Sequence, residues 1–216
     1  NFIDDINRIY EDAKELPKHN QNLAGKIKDE LRVTEILTND MKDCFWTCFR
    51  QYLQVIGKPL WHCELAGAWI NDMKANEYNP FHYHQSTQSY LGLSSVLVLK
   101  RPSTYGVEYS REETPCNGWL EFSGGQQDPL SIPQLRQDAQ VGSLYIFPYT
   151  LLHGVYPFNG TDEIRRTLSY NCDLLTEHQK QVTDIATERG LQEGKIDPKS
   201  VVKRQWVSQA PQKQWK

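Results

Sequence analysis

No stretch of the sequence is apolar for the roughly 20 residues that a transmembrane helix requires. The opening residues, Asn1 to Asp5, also lack the apolar segment of a secretory signal peptide. Charge of neither sign dominates, since 24 basic and 27 acidic residues leave a formal net charge of −3. Such a balance gives no general attraction to nucleic acid or to anionic lipid. We therefore expect a cytoplasmic globular protein that does not contact a membrane.

Cysteine is scarce, and its spacing is not that of a disulfide framework or a metal clip. The five cysteines are an odd number, and none of them forms a CxxC motif. This pattern favours a reducing compartment. Cys44 and Cys48 are four residues apart on a predicted helix and share one face, so we expect them to be buried thiols.

The chain of 216 residues is long enough for one substantial core, and we expect a single domain over residues 1–216. Residues 1–60 predict an N-terminal layer whose residues 2–57 are helical. One helix is expected to end at Pro17, and a second is expected to run from Ile36 to Ile56. Residues 176–216 predict a surface helix, Glu177 to Arg189, and a basic tail over 191–216 that packs along the domain or contacts a partner.

Residues 61–175 have a different sequence pattern, in which short strand-like runs are separated by turn residues. Many short strands at this spacing are typical of a double-sheet barrel of the jelly-roll kind, so we expect a mainly β core. The predicted strands cover 63–70, 82–90, 93–99, 118–122, 142–148, 153–156 and 165–171.

Three of the six histidines fall into one arrangement within this core. His82 and His84 are two residues apart, and residues at that spacing on a strand point to the same side. His153 follows a later apolar strand, and an arginine-bearing strand comes twelve residues after it. This joint pattern is far rarer by chance than a lone His-x-His pair. His19, His62 and His178 are interpreted as surface or hydrogen-bonded residues.

The three histidines predict a non-heme Fe(II) centre with catalytic and metal-binding residues His82, His84 and His153. Fe(II) accepts imidazole ligands on one face and leaves positions open for a chelating co-substrate and O2. Two alternatives remain: His84 is the first ligand and Ser86 stands where a carboxylate is usual, or one of the close pair only supports the ligands. Zinc is the other metal compatible with three histidines.

The arginine strand favours a 2-oxo acid enzyme over a zinc hydrolase, because a far carboxylate must be held by a guanidinium. Arg165 and Thr167 share one face of the strand, with Ser169 and Asn171, while Arg166 points to the other face. The face with small hydroxyl residues resembles the lining of a polar pocket. We therefore predict Arg165 and Thr167 as the carboxylate clamp, and an ion-paired or solvent-facing Arg166.

These motifs resemble the 2-oxoglutarate- and Fe(II)-dependent oxygenase superfamily, in its bacterial and phage prolyl-hydroxylase-like branch. The resemblance covers residues 78–173, under half of the chain, with its motifs in the expected order. His84 departs from the wider superfamily, in which Asp or Glu occupies this place. The matching segments are Asn79–His84, Gly92–Leu99, Gly118–Phe122, Gly142–His153 with Val155–Gly160, and Arg165–Asn171.

The resemblance implies a double-stranded β-helix, Fe(II), 2-oxoglutarate and O2, with release of succinate and CO2. The expected reaction is hydroxylation of an unidentified substrate, a peptidyl-proline by analogy, with a peptide or small molecule favoured over nucleic acid. The polar loops 101–117 and 124–140 are candidates for substrate contact. Two other functions stay open: a metal-free or inactive jelly roll that binds a partner, and a three-histidine cupin-like metalloenzyme that does not use 2-oxoglutarate.

Overall fold

The computed structural model describes residues 1–19, 25–59, 61–85, 91–125 and 130–196. A first unit, Asn1–Leu175, holds two sheets, and a second unit begins at Thr176. The helices in the described ranges are α1 (Phe2–Asp12), α2 (Asn39–Val55) and α3 (Glu177–Gln192). The strands there are β1 (Asp29–Arg32), β2 (His62–Met73), β3 (Asn79–His82), β4 (Gly92–Lys100), β5 (Leu120–Ser123), β6 (Gln134–Gln137), β7 (Leu144–Pro148), β8 (Leu152–Val155) and β9 (Arg165–Leu175).

The strands form two antiparallel sheets. One has five strands in the order β1-β2-β9-β4-β7, and the other has four in the order β3-β8-β5-β6. Apart from the pairs β1-β2 and β5-β6, neighbours in these sheets are not consecutive in the chain, as expected of a jelly roll. The mainly β, jelly-roll fold predicted from the sequence is confirmed.

Helices α1 and α2 cover one face of the five-stranded sheet. Thr38 caps α2 by accepting a hydrogen bond from the Met41 amide. The buried side chains of α2 recur every four residues, so they form one stripe against the sheet: Met41, Phe45, Phe49 and Leu53. Phe45 packs on Tyr170 of β9 with ring centroids 5.2 Å apart. This core fixes which face of β9 is turned toward the helices.

The opposite face of the five-stranded sheet is turned toward the four-stranded sheet. Val96 of β4 packs there with Leu120 and Phe122 of β5 and with Phe147 of β7. Alternation along β9 sends Leu168 and Tyr170 to the helix side and Arg165, Thr167 and Ser169 to the inner side. The inner side holds the candidate site.

Several details differ from the sequence predictions. The N-terminal layer is not helical throughout, since β1 joins the five-stranded sheet and α1 ends at Asp12 before Pro17 is reached. Cys44 is exposed and Cys48 is half-buried, because the buried stripe of α2 passes beside them. All five cysteines are free. Helix α3 continues through Gly190 to Gln192, and most of the predicted tail lies outside the described residues.

Helices in the described part of the chain are too short or too polar to cross a bilayer.

Candidate metal and 2-oxoglutarate site

Two strands of the four-stranded sheet bring two of the predicted histidines face to face. His82 is the last residue of β3, and it lies directly opposite His153 of β8 in the antiparallel register. His84 follows two residues later, where its amide donates to the Tyr149 carbonyl oxygen at 2.9 Å. The close pair therefore sits at the end of a strand. The predicted strand over 82–90 is wrong over residues 83–85, because β3 ends at His82. Residues 86–90, with Ser86, lie outside the described residues.

The three imidazoles converge on one point. Their candidate ligand nitrogens all lie within 4.8 Å of one another. The Nε2 atoms of His84 and His153 are 3.1 Å apart. Two nitrogens bound at right angles to one divalent ion, each at about 2.1 Å, would be about 3 Å apart. The spacing of His84 and His153 therefore fits two ligands of one first-row metal ion.

Backbone carbonyl groups set the orientation of two of the rings. His82 Nδ1 lies 2.8 Å from the Pro80 oxygen, and His153 Nδ1 lies 2.9 Å from the Leu151 oxygen. A carbonyl only accepts, so each Nδ1 carries the proton and each Nε2 presents a free lone pair. This is the tautomer that a metal ligand needs.

Burial also keeps the imidazoles uncharged. Burial, together with the neighbouring His153 and His82, lowers the pKa of His84 to about 3. Burial and the neighbouring His82 lower the pKa of His153 to about 4, and burial lowers the pKa of His82 as well. Only neutral imidazole binds a metal, so the site is prepared for a cation near neutral pH.

Aromatic side chains surround the histidines. Phe147 packs on His153 with ring centroids 4.5 Å apart, and Phe122 lies T-shaped against Phe147 at 5.0 Å. On the other side, the Trp69 ring lies 5.9 Å from His84. These aromatic contacts hold the histidine rings in place.

Tyr149 contacts His84 through its ring and its backbone carbonyl group. Its ring lies 6.0 Å from His84, and its buried hydroxyl donates to Asp173 Oδ1 at 2.9 Å. Gly92 makes room for this ring, since a Cβ atom at position 92 would lie 1.9 Å from it. Alternation and spacing could not identify Tyr149, because it lies in the turn between β7 and β8.

The two adjacent arginines of β9 have different surroundings. Arg166 faces the helices, where it donates to both Asp72 carboxylate oxygens at 2.6 and 2.8 Å and to Glu11 at 2.7 Å. Arg165 is 3% exposed and faces the sheet interior, and its Nη2 atom has no hydrogen-bond partner. No carboxylate within the described ranges forms a salt bridge with it. Burial lowers the pKa of Arg165, while Tyr105 acts in the opposite direction.

Thr167 lies two residues from Arg165 on the same inner face and is buried. The next residues on that face continue the polar lining toward the histidines, and Ser94 of β4 donates to Asn171 at 2.8 Å. A buried guanidinium without a counter-ion is costly, so its presence beside hydroxyl groups indicates a place for an anion.

Tyr83, between His82 and His84 in the chain, is exposed and does not pack in the core. Arg101 of the 101–117 loop is paired with Asp138 and stacks on Tyr105. His19, expected at the surface or in a hydrogen bond, instead stacks on Trp69 at 4.7 Å with a buried, unpartnered Nδ1.

A family profile described as "Putative 2OG-Fe(II) oxygenase" matches residues 67–171. That range contains the three histidines and Arg165. Over residues 67–171 the chain matches the 2OG-Fe(II) oxygenase superfamily. The superfamily predicted from the sequence is thereby confirmed, and so are Fe(II) and 2-oxoglutarate as the cofactor and co-substrate of a dioxygenase. No curated protein matches the oxygenase chain in sequence.

Solved structures share the oxygenase fold. A prolyl-4-hydroxylase from Pseudomonas putida is 13% identical, with 82% of this chain and 86% of that chain covered and a TM-score of 0.50. A prolyl hydroxylase from Trichoplax adhaerens, in complex with a hypoxia inducible factor peptide fragment, is 9% identical, with coverage of 84% and 78% and a TM-score of 0.50. SnoN, a non-heme alpha ketoglutarate dependent epimerase from nogalamycin biosynthesis, is 13% identical, with coverage of 80% and 73% and a TM-score of 0.52. At these identities the likeness is one of fold.

Proposed function

We propose that this oxygenase is a hydroxylase whose Fe(II) is held by His82, His84 and His153 and whose 2-oxoglutarate is held by Arg165 and Thr167. One observation carries the proposal: three neutral imidazoles converge in the interior, and the buried guanidinium of Arg165, without a counter-ion, is on the face of the five-stranded sheet that is turned toward the histidines' sheet.

His82 and His153 would hold Fe(II) through Nε2, since their Nδ1 atoms donate to carbonyl groups. His84 supplies a third imidazole in place of the usual carboxylate, so the ion keeps its full charge of two. Such a centre attracts a dianionic 2-oxo acid more strongly than one with a carboxylate ligand.

Arg165 binds the far carboxylate of 2-oxoglutarate through its planar pair of N–H groups. Thr167 contributes a hydroxyl on the same face. Arg166 is excluded from this role, because Asp72 and Glu11 already occupy its donors on the helix side of the sheet.

Bound Fe(II) supplies activation of O2 coupled to decarboxylation of 2-oxoglutarate, which yields succinate and CO2. Phe122 and Phe147 would shield the site from water beside His153, and Trp69 would do so beside His84. The overall reaction places one oxygen atom of O2 in succinate and the other in a C–H bond of the substrate.

The substrate we propose is a peptide, with a prolyl residue as one candidate. The names of the two prolyl hydroxylases of similar fold support this class. The epimerase of similar fold shows that the fold also serves a reaction without hydroxylation.

The test is incubation of the Fe(II)-loaded protein with 2-oxoglutarate, ¹⁸O2 and a library of proline-containing peptides. Hydroxylation predicts ¹⁸O in one peptide product and in succinate at equal amounts. Succinate without labelled product, together with an inverted stereocentre in a peptide, would reject hydroxylation and leave the dioxygenase assignment intact.

A further inference from the structure

The inner face of the five-stranded sheet carries a second buried charge without a partner, Glu30 of β1. Its side chain is 1% exposed, and its Oε1 atom has no hydrogen-bond partner. Leu31 and Val33 pack in the core beneath the helices. Strand alternation therefore turns Glu30 to the opposite side, which is the side of the histidines and Arg165.

A second orphaned oxygen lies beside Glu30. Asn71 of β2 is directly opposite Glu30 in the register, and it is also directly opposite Thr167 of β9. Asn71 is 7% exposed, and its Oδ1 atom is buried without a partner. Glu30, Asn71 and Thr167 thus form one polar row across three strands of the inner face.

Glu30 and Arg165 do not neutralise each other. They are two strands apart, and Arg165 lies one inward-facing position further along the sheet. With strands about 4.8 Å apart and about 3.3 Å per residue, their Cα atoms are separated by roughly 12 Å. No salt bridge of Glu30 is found in the described part of the chain, so each charge requires its own partner.

The polar row adjoins the metal site through Trp69. Trp69 is the next inward-facing residue of β2 after Asn71, and its ring is 5.9 Å from that of His84. The His19 ring also lies against Trp69, with ring centroids 4.7 Å apart. A ligand group held at Glu30 would therefore extend along Trp69 toward the histidines.

We propose that Glu30 and Asn71 form a subsite that binds a cationic nitrogen group, an ammonium or guanidinium, of the substrate. This inference rests on the proposed function, since the subsite would hold one end of the molecule that the metal site oxidises. Both orphaned atoms are acceptors, and a protonated nitrogen group supplies several donors and the missing positive charge.

The surrounding charge also favours a cation. Burial, and then the charge of the nearby Glu77, raise the pKa of Glu30 to about 7. A bound cation would reverse this shift and retain the carboxylate in its charged form. The substrate class predicted is a lysine- or arginine-containing peptide, or a small amine or guanidine of similar length.

The experiment measures binding of two cationic probes, n-butylammonium and n-butylguanidinium, and of neutral n-butanol to the full chain. The chain is loaded with Zn(II) and saturated with 2-oxoglutarate, so that no turnover occurs, and binding is followed by ligand-observed NMR. We expect the cations to bind and Glu30→Gln to weaken them at least about tenfold. Asn71→Leu should weaken them less, because it removes a neutral acceptor.

Asp29→Asn is the matched control, since it removes a carboxylate from the same strand at an exposed position next to Lys74. It should leave probe affinity unchanged, which separates the subsite from general electrostatic attraction. Glu30→Gln removes an uncompensated buried charge, so it should fold, and its 2-oxoglutarate affinity serves as the check.

Equal binding of cations to the wild type and Glu30→Gln would overturn the inference, and so would the absence of cation binding to a protein that binds 2-oxoglutarate. Failure to bind Zn(II) and 2-oxoglutarate is a different result. That outcome would reject the proposed function, and the inference would fall with it.

Discussion

His84 and His153 point their Nε2 atoms at each other across 3.1 Å, although 69 residues separate them in the chain. A shared metal ion accounts for this approach, and in the metal-free protein His84 Nε2–H can donate a hydrogen bond to the lone pair of His153 Nε2. We predict that His84→Ala and His153→Ala each weaken Fe(II) binding by more than about 100-fold, because loss of outer partners alone costs 10–100-fold. Anaerobic equilibrium dialysis measures this affinity.

The control for these variants is His178→Ala, which removes an exposed histidine of α3. Its Fe(II) affinity should equal that of the wild type. Wild-type affinity in either His84→Ala or His153→Ala, with an unchanged circular dichroism spectrum, would exclude that residue from the metal site.

We expect substitution of Arg165 to affect 2-oxoglutarate binding and substitution of Arg166 to affect stability. Arg165→Met keeps most of the side-chain volume and removes the guanidinium, so we expect 2-oxoglutarate binding to weaken by about 2–5 kcal/mol with Fe(II) binding retained. Without 2-oxoglutarate, the same variant should unfold at a higher temperature than the wild type, because a buried unpaired charge is gone. Calorimetric titration and thermal unfolding measure the two effects.

Arg166→Met is the matched change on the neighbouring residue. It leaves Asp72 without its bidentate partner and should destabilise the protein by about 3 kcal/mol. Its 2-oxoglutarate affinity should stay at the wild-type value. If both variants lost 2-oxoglutarate equally, the assignment of faces on β9 would be wrong.

Glu30 predicts a pH dependence of stability. Burial and Glu77 raise its pKa from 4.5 to about 7 on folding, so the folded protein holds a proton there that the unfolded chain releases. Its contribution is fully present below pH 4.5 and is lost as the pH rises through 7. The loss amounts to about 3 kcal/mol. Urea unfolding of the metal-free wild type and Glu30→Gln at pH 5 and pH 8 measures it.

The difference in unfolding free energy between the two proteins isolates Glu30, because the buried histidines titrate equally in both. We expect Glu30→Gln to be the more stable protein at pH 8, with most of that advantage absent at pH 5. A constant difference between the two pH values would show that Glu30 carries no raised pKa.

Gly92 gives a test of how Tyr149 positions His84. A methyl group at residue 92 would collide with the Tyr149 ring. The backbone carbonyl of Tyr149 accepts a hydrogen bond from the His84 amide, so a shift of Tyr149 would move His84. We expect Gly92→Ala to cost about 1–3 kcal/mol of stability and to weaken Fe(II) binding. Gly67→Ala is the control on β2, since a methyl group there approaches no atom closer than 4.0 Å. Unchanged Fe(II) affinity in folded Gly92→Ala would separate Tyr149 from the metal site.

The periodic parts of the sequence predicted the fold well. Apolar runs located β4, β7 and most of β2, and the Arg165 and Arg166 alternation anticipated their opposite faces. Strands β1 and β6 were missed for one physical reason. Each is short, lies at a sheet edge, and is composed mostly of charged or amide side chains, so no apolar period marks it.

The candidate metal ligands could be proposed from the sequence because three histidines occur at separations that strand pairing can bring together. Glu30, Trp69 and Tyr149 could not be placed beside them. Their positions depend on the register of β1 with β2 and on a turn after β7, and single-sequence patterns do not specify register between strands distant in the chain.

The most direct test of the central claim is an anaerobic titration of the metal-free protein with Fe(II), followed by 2-oxoglutarate, while visible absorption is recorded. We predict uptake of one Fe(II) per chain and a weak visible charge-transfer band that appears only after 2-oxoglutarate is added. The band should be absent in His153→Ala and should require a higher 2-oxoglutarate concentration in Arg165→Met. A wild-type protein that takes up no Fe(II), or that shows the same band after His153→Ala, would contradict the account.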